Sequence, residues 1–102
     1  MTKVLFVNVN KTIKDSYGLK QATSGSWSVD GDKSKFDLII PVSGNIIRGV
    51  FEVNEQFTTQ YEGKDRVGFK LTRIWNDTPL KLKLNHLITK THFVTKIENV
   101  EL

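Results

Sequence analysis

The side chains best equipped for chemistry are aromatic rings interleaved with cations. Trp27, Trp75, Tyr17 and Tyr61 are spread along a chain that also carries Arg48, Arg66, Arg73 and many lysines. Aromatic faces stack nucleobases and neighbouring cations hold phosphate, so the combination fits recognition of unpaired nucleotides. Trp27 follows Ser24-Gly25-Ser26 and Trp75 precedes Asn76-Asp77, which puts both at element edges where a pocket mouth can open. A buried plug with its indole N–H bonded internally is an equally open reading of Trp27. Phe36, Phe51 and Phe69 follow strand periodicity and read as core.

Catalytic chemistry is poorly supplied. His86 and His92 lie in a basic stretch with no adjacent carboxylate, whereas a zinc site needs three or four converging ligands. There is no cysteine, which excludes disulfides, thiolate metal sites and a thiol nucleophile, and fits a reducing compartment. No glycine-rich phosphate loop, nucleophile elbow or HExxH element occurs. Asp30 and Asp32 flank Gly31, where aspartate is favoured for local turn bonding, and Glu52 and Glu55 straddle a strand end. The expectation is a binding protein that is not an enzyme, with no metal and no cofactor.

Positioning these groups falls mainly to strands. Residues 4–9 are apolar on both faces at their start, as a central strand would be. Asp15 and Ser16 can cap a short helix that turns Leu19 and Ala22 inward and stops at Ser24-Gly25. Residues 26–29 form an extended piece before the turn Asp30-Gly31-Asp32. Phe36, Leu38, Ile40 and Val42 alternate along a strand in which Pro41 suggests a sheet edge or a bulge. A three-residue loop, Ser43-Gly44-Asn45, then leads into a returning strand over residues 46–53 with Ile47, Phe51 and Val53 on one face and Arg48 and Glu52 on the other. Residues 54–64 read as an exposed loop. Val67, Phe69 and Leu71 mark a further strand; Leu80, Leu82 and Leu84, alternating with Lys81 and Lys83, mark a half-exposed one. Residues 93–100 are β-like again, with helix left as an open alternative for residues 84–90.

The 102 residues, 38% hydrophobic and 25% charged, suit one globular domain spanning 1–102. No apolar run approaches the roughly 20 residues of a membrane span, nor does the N-terminus resemble a secretory signal, so a cytoplasmic protein with no membrane partner is expected. The net charge of +4 is uneven. Acids and bases cancel through residue 63, while residues 64–96 hold Lys64, Arg66, Lys70, Arg73, Lys81, Lys83, Lys90 and Lys96 against Asp65 and Asp77. That asymmetry points to an anionic partner, with a solvated lysine-rich face as the plain alternative.

Several strings occur in a suggestive order: Leu5-Phe6-Val7-Asn8-Val9-Asn10-Lys11-Thr12, Leu19-Lys20-Gln21-Ala22-Thr23-Ser24-Gly25-Ser26-Trp27, Asn45-Ile46-Ile47-Arg48-Gly49-Val50-Phe51-Glu52-Val53, and Arg66-Val67-Gly68-Phe69. The series resembles the small PUA-like β-barrel domains of bacteria and phages, relatives of the EVE, ASCH and YTH modules, over residues 4–71. The resemblance implies a mainly β (α+β) fold: a partly closed antiparallel barrel with one short helix and a pocket for a nucleotide, commonly a modified base. Ligand-binding roles are expected for Asn8, Lys11, Ser24, Trp27, Arg48 and Arg66, with a base stacked near Trp27 and phosphate attracted by Arg48 and Arg66. Ser24 replaces the family's arginine and Val67 its aromatic, departures that would alter ligand preference. Phosphate contacts are expected from Lys70, Arg73, Lys81 and Lys83. The lysine- and asparagine-rich composition has a phage-like cast. The expected partner is a nucleotide or nucleic acid; the alternatives are a phage-type inhibitor that sequesters a signalling nucleotide, or one that docks an acidic host protein through its lysines.

Overall fold

The computed structural model describes residues 1–12, 18–29, 31–88 and 93–102. The expected roles of Asp15, Ser16, Tyr17, Asp30, Lys90 and His92 lie outside these residues. The chain runs β1 (Thr2–Asn8), α1 (Leu19–Ser24), β2 (Leu38–Ser43), β3 (Ile46–Ile47), β4 (Phe51–Tyr61), β5 (Lys64–Arg73), α2 (Thr78–Leu84) with a 3₁₀ turn at Asn85–Leu87, and β6 (Thr95–Val100). The strands form one six-stranded sheet in the order β5-β4-β2-β1-β6, with β3 also paired to β2.

The mainly β character agrees with the sequence, but the sheet is mixed rather than antiparallel. Strand β1 runs parallel to β2, with Val4 opposite Leu38 and Asn8 opposite Val42, and antiparallel to β6. As its pattern predicts, β1 is interior, and Val4, Leu5, Phe6 and Val7 are fully buried because cores cover both faces of the sheet. One core gathers Leu5, Val7, Phe36, Ile39, Phe51, Phe69 and Trp27 under α1; the other gathers Val4, Phe6, Ile40, Val42, Ile47 and Leu84 under α2.

The sheet curls without closing into a barrel. A bulge at Asn54, between the pairs Val53–Leu71 and Glu55–Lys70, bends the long β4–β5 hairpin, as an unpaired extra residue does. The bent hairpin meets the segment after α1, where Trp27 and Val67 exchange backbone bonds of 2.8 and 2.9 Å. From the other side, Thr95 Oγ1 in β6 donates to the Ser28 carbonyl at 2.8 Å. Residues 27–28 thus stand between the two ends of the sheet.

Several local expectations are corrected. Residues 54–61 are not a loop but the outer half of β4, which turns into β5 through Glu62 and Gly63 at φ 52° and 76°. The β2–β3 loop has two residues, since Ser43 pairs with Ile46 and only Gly44 and Asn45 intervene, at φ 61° and 59°. Two successive positive φ values are the signature of the tight hairpin turn whose twist matches the strands. The expected strand over residues 46–53 breaks at Arg48-Gly49-Val50, so Ile47 faces one core while Phe51 and Val53 face the other. Pro41 is interior, not at an edge. Its carbonyl accepts from Arg48 N and the Val42 carbonyl accepts from Val9 N, so the missing proline N–H falls where β2 exchanges β4 for β3 as its neighbour.

The predicted strand at Leu80, Leu82 and Leu84 is helix α2. Asp77 precedes it and Pro79 occupies its first turn, where a missing N–H breaks no helical bond. Lys81 and Lys83 lie in its last turn, where cations offset the partial negative charge of the exposed carbonyls.

Lys3 fastens the segment before β2 to β1. Its Nζ donates to the carbonyls of Asp32 and Ser34 at 2.9 and 3.0 Å and to Ser34 Oγ at 2.8 Å, 4.4 Å above the Phe36 ring. Asp32 Oδ2 completes the cluster at 3.3 Å from Nζ. Lys3→Met keeps the alkyl stem and is expected to destabilise by about 1.5–3 kcal/mol, the worth of hydrogen bonds to a charged group, read by urea denaturation. Hydrogen bonds from the Ser34 backbone and hydroxyl, then Lys3, hold the Asp32 carboxyl below its usual range. Its contribution is present above the ordinary carboxylate pKa and fades as pH falls through the lowered one.

Candidate ligand-binding cleft

A cleft of about 540 Å³ opens where β1 ends and β6 begins, lined by Asn8, Asn10, Lys11, Thr12, Trp27, Phe93 and Val94. That volume lies within the range of small-molecule sites, roughly 300–1,000 Å³. The cleft exists because β1 leaves the sheet between the two cores. Trp27 approaches from the α1 side as part of the first core, and Phe93 packs against the second. Asn8 N donates to the Val94 carbonyl at 2.9 Å, which pins the Phe93-Val94 wall beside the end of β1.

The polar lining has a definite sense. Asn8 Oδ1 accepts from Asn10 N at 3.0 Å. Asn10 Oδ1 accepts from Ser43 Oγ at 2.6 Å and from Gly44 N at 3.1 Å. Backbone N–H groups can only donate, so they fix the oxygen of each amide and hence the direction of its NH₂. Both Nδ2 groups are left without an acceptor among the described residues, beside the exposed Lys11 ammonium. The wall therefore offers donors, and suits a ligand rich in acceptors such as carbonyl-bearing rings or phosphate.

Trp27 is both plug and wall. It is 5% exposed, and its indole N–H donates to the Thr23 carbonyl of α1 at 2.8 Å, so the donor is satisfied inside the protein. What remains for a ligand is part of the ring, not the N–H.

Of the residues singled out from the sequence, Asn8, Lys11 and Trp27 meet at the cleft, while Asn10, Thr12, Phe93 and Val94 are additions. Ser24 ends α1, with its hydroxyl turned to the Gln21 carbonyl at 3.3 Å. Arg66 is half-buried on β5 beside Val67, the bridge partner of Trp27, but does not line the cleft. Arg48 follows β3, and its Nε donates to the Ser43 carbonyl at 3.2 Å.

The expected phosphate-binding set is dispersed. Lys70 on β5 pairs with Glu55 at 3.2 Å, and Lys81 on α2 lies 3.7 Å from Asp77. Lys83 is exposed on α2. Arg73 ends β5 and lies 5.0 Å from the ring of Trp75, which is 80% exposed. Among the described residues no group of three histidine, aspartate or glutamate side chains could hold a metal ion, and no helix is long and apolar enough to cross a membrane.

The chain matches no protein-family model, and neither the curated proteins nor the solved structures provide a significant match.

Proposed function

We propose that this protein is a non-catalytic binding module for a nucleotide unit, free or within a nucleic acid, held in the cleft between Trp27 and Phe93. The observation that carries the reading is the pair of amide NH₂ groups on Asn8 and Asn10, without an acceptor among the described residues, in a cleft also lined by Lys11, Trp27 and Phe93. A nucleobase supplies an apolar face for Phe93 and for the small part of the Trp27 ring left uncovered, and the ring acceptors the amides seek; its phosphate complements the ammonium. The strings resembling PUA-like domains favour the same ligand class, with a modified base as the expected preference.

Asn8→Asp tests the reading with little change of shape. The aspartate still accepts from Asn10 N, but a carboxylate oxygen replaces the open NH₂ and repels an anionic ligand. Calorimetric titration with nucleoside monophosphates, modified ones included, is expected to show binding to the parent and a loss of roughly ten- to hundredfold in the variant, the worth of a charged hydrogen bond. Thermal melting should be nearly unchanged. Absence of binding to every nucleotide, or equal affinity in the variant, would count against the cleft.

A further inference from the structure

We infer that the ligand is a single-stranded nucleic acid, carried from the cleft across the end of the sheet to a second stacking platform formed by Trp75 and Arg73. This rests on the nucleotide reading of the cleft and extends it to a polymer. Trp75 is 80% exposed, an unusual place for so large an apolar surface, and the Arg73 guanidinium lies 5.0 Å from its ring. An arginine packed on an exposed tryptophan holds one face of the ring and leaves surface for a base, with the cation beside the phosphate that follows.

A continuous set of contacts joins platform and cleft. Asn10 of the cleft binds Ser43 and Gly44 through its Oδ1. The Ser43 carbonyl accepts from Arg48 Nε. The next residue, Gly49, lies so close to Arg73 that a methyl group on it would stand 3.6 Å from a terminal guanidinium nitrogen. From β1 to β5 the sheet crosses β2 and β4, three strand spacings or about 14 Å. A mononucleotide in the cleft does not reach that far; a short strand does.

The charge along this line is of one sign. Lys11, Arg48 and Arg73 form no ion pair among the described residues, in contrast to Lys70, Lys81 and Lys96, each paired with a carboxylate. Three cations without an ion pair among the described residues, spread from the cleft to the platform, suit a phosphate backbone better than one phosphate group.

The test is fluorescence anisotropy with labelled oligothymidylates of four and eight residues, in competition with thymidine monophosphate and with polyglutamate. The octamer is expected to bind more tightly than the mononucleotide, with affinity falling steeply as salt rises. Trp75→Ala should weaken octamer binding roughly five- to hundredfold, the worth of one stacked base, and leave mononucleotide binding and the melting temperature unchanged. Arg48→Ala should weaken the octamer alone and flatten its salt dependence. If octamer and mononucleotide bind equally and Trp75→Ala affects neither, the strand path is overturned while the cleft reading survives. If the octamer depends on Trp75 but Asn8→Asp changes nothing, the cleft reading fails instead. Polyglutamate competing as well as the octamer would overturn the inference in favour of an acidic protein surface.

Discussion

Trp27→Ala is expected to destabilise the protein by about 3–5 kcal/mol, the cost of removing a large aromatic from a packed core. For a domain of this size that lowers the melting temperature by roughly 12 °C or more. The ring is 5% exposed and packs in the first core, and its N–H ties the last turn of α1 to the bridge with β5. Its removal opens a cavity and leaves the Thr23 carbonyl without that donor. Trp27→Phe separates the two losses. Phenylalanine keeps most of the apolar volume and the cleft wall but cannot donate, so the cost should fall to about 1–3 kcal/mol, the penalty of an unmet buried polar group. Urea denaturation of both variants measures the difference. Melting of Trp27→Ala close to the parent would show that the tryptophan is not a plug. Because folding and binding change together in Trp27→Ala, ligand affinity is better read in Trp27→Phe, whose fold should persist.

The sequence is most legible where one physical constraint dominates. Val4-Leu5-Phe6-Val7 is apolar on both faces, which only an interior strand satisfies, and β1 is interior. The alternation of Val67, Phe69 and Leu71 gives β5 for the same reason, since all three are buried. Residues 54–61 are harder. Glu55, Gln56, Thr58 and Gln60 offer little apolar surface, and they are strand because β5 pairs with them through the Glu62-Gly63 turn. The clue was the turn glycine with two threonines before it, not hydrophobic period. The sheet's mixed direction was illegible because parallel pairing of β1 with β2 is a long-range contact.

The cleft divides in the same way. Trp27 stands out by residue type, whereas Asn8 and Lys11 entered the expectation only with the string Leu5-Phe6-Val7-Asn8-Val9-Asn10-Lys11-Thr12. Asn10 acquires its sense only because β2 brings Ser43 and Gly44 to its carbonyl oxygen, and Phe93 arrives from the far end of the chain beside β6. The charge excess after residue 63 suggested a basic face, yet Lys70, Lys81 and Lys96 are taken up by Glu55, Asp77 and Glu98. A count of charges carries no information about such pairs. Of the three cations of the proposed path that form no ion pair among the described residues, Arg73 belongs to the basic stretch, while Lys11 and Arg48 come from residues 1–63, where charges cancel.

The second large effect distinguishes helix from strand at residues 80–84. In a strand Leu80, Leu82 and Leu84 would share one face and should respond alike to truncation. In α2 the repeat is 3.6 residues, so Leu80 and Leu84 turn to the core and Leu82 turns away. Leu84 is fully buried against the second core, and Leu82 is 75% exposed. Leu84→Ala is therefore expected to cost about 2–5 kcal/mol, because the cavity it leaves lies beneath a short helix and beside Phe6 and Ile40. Leu82→Ala should change stability by no more than about 0.5 kcal/mol, as surface substitutions do. Alanine favours helix slightly over leucine, so the small change at residue 82 could even be stabilising. Urea denaturation of the two single variants gives the comparison directly. Equal losses at both positions would restore the strand; a large loss at Leu84 alone follows only from the helix, because only there do residues two apart face opposite ways.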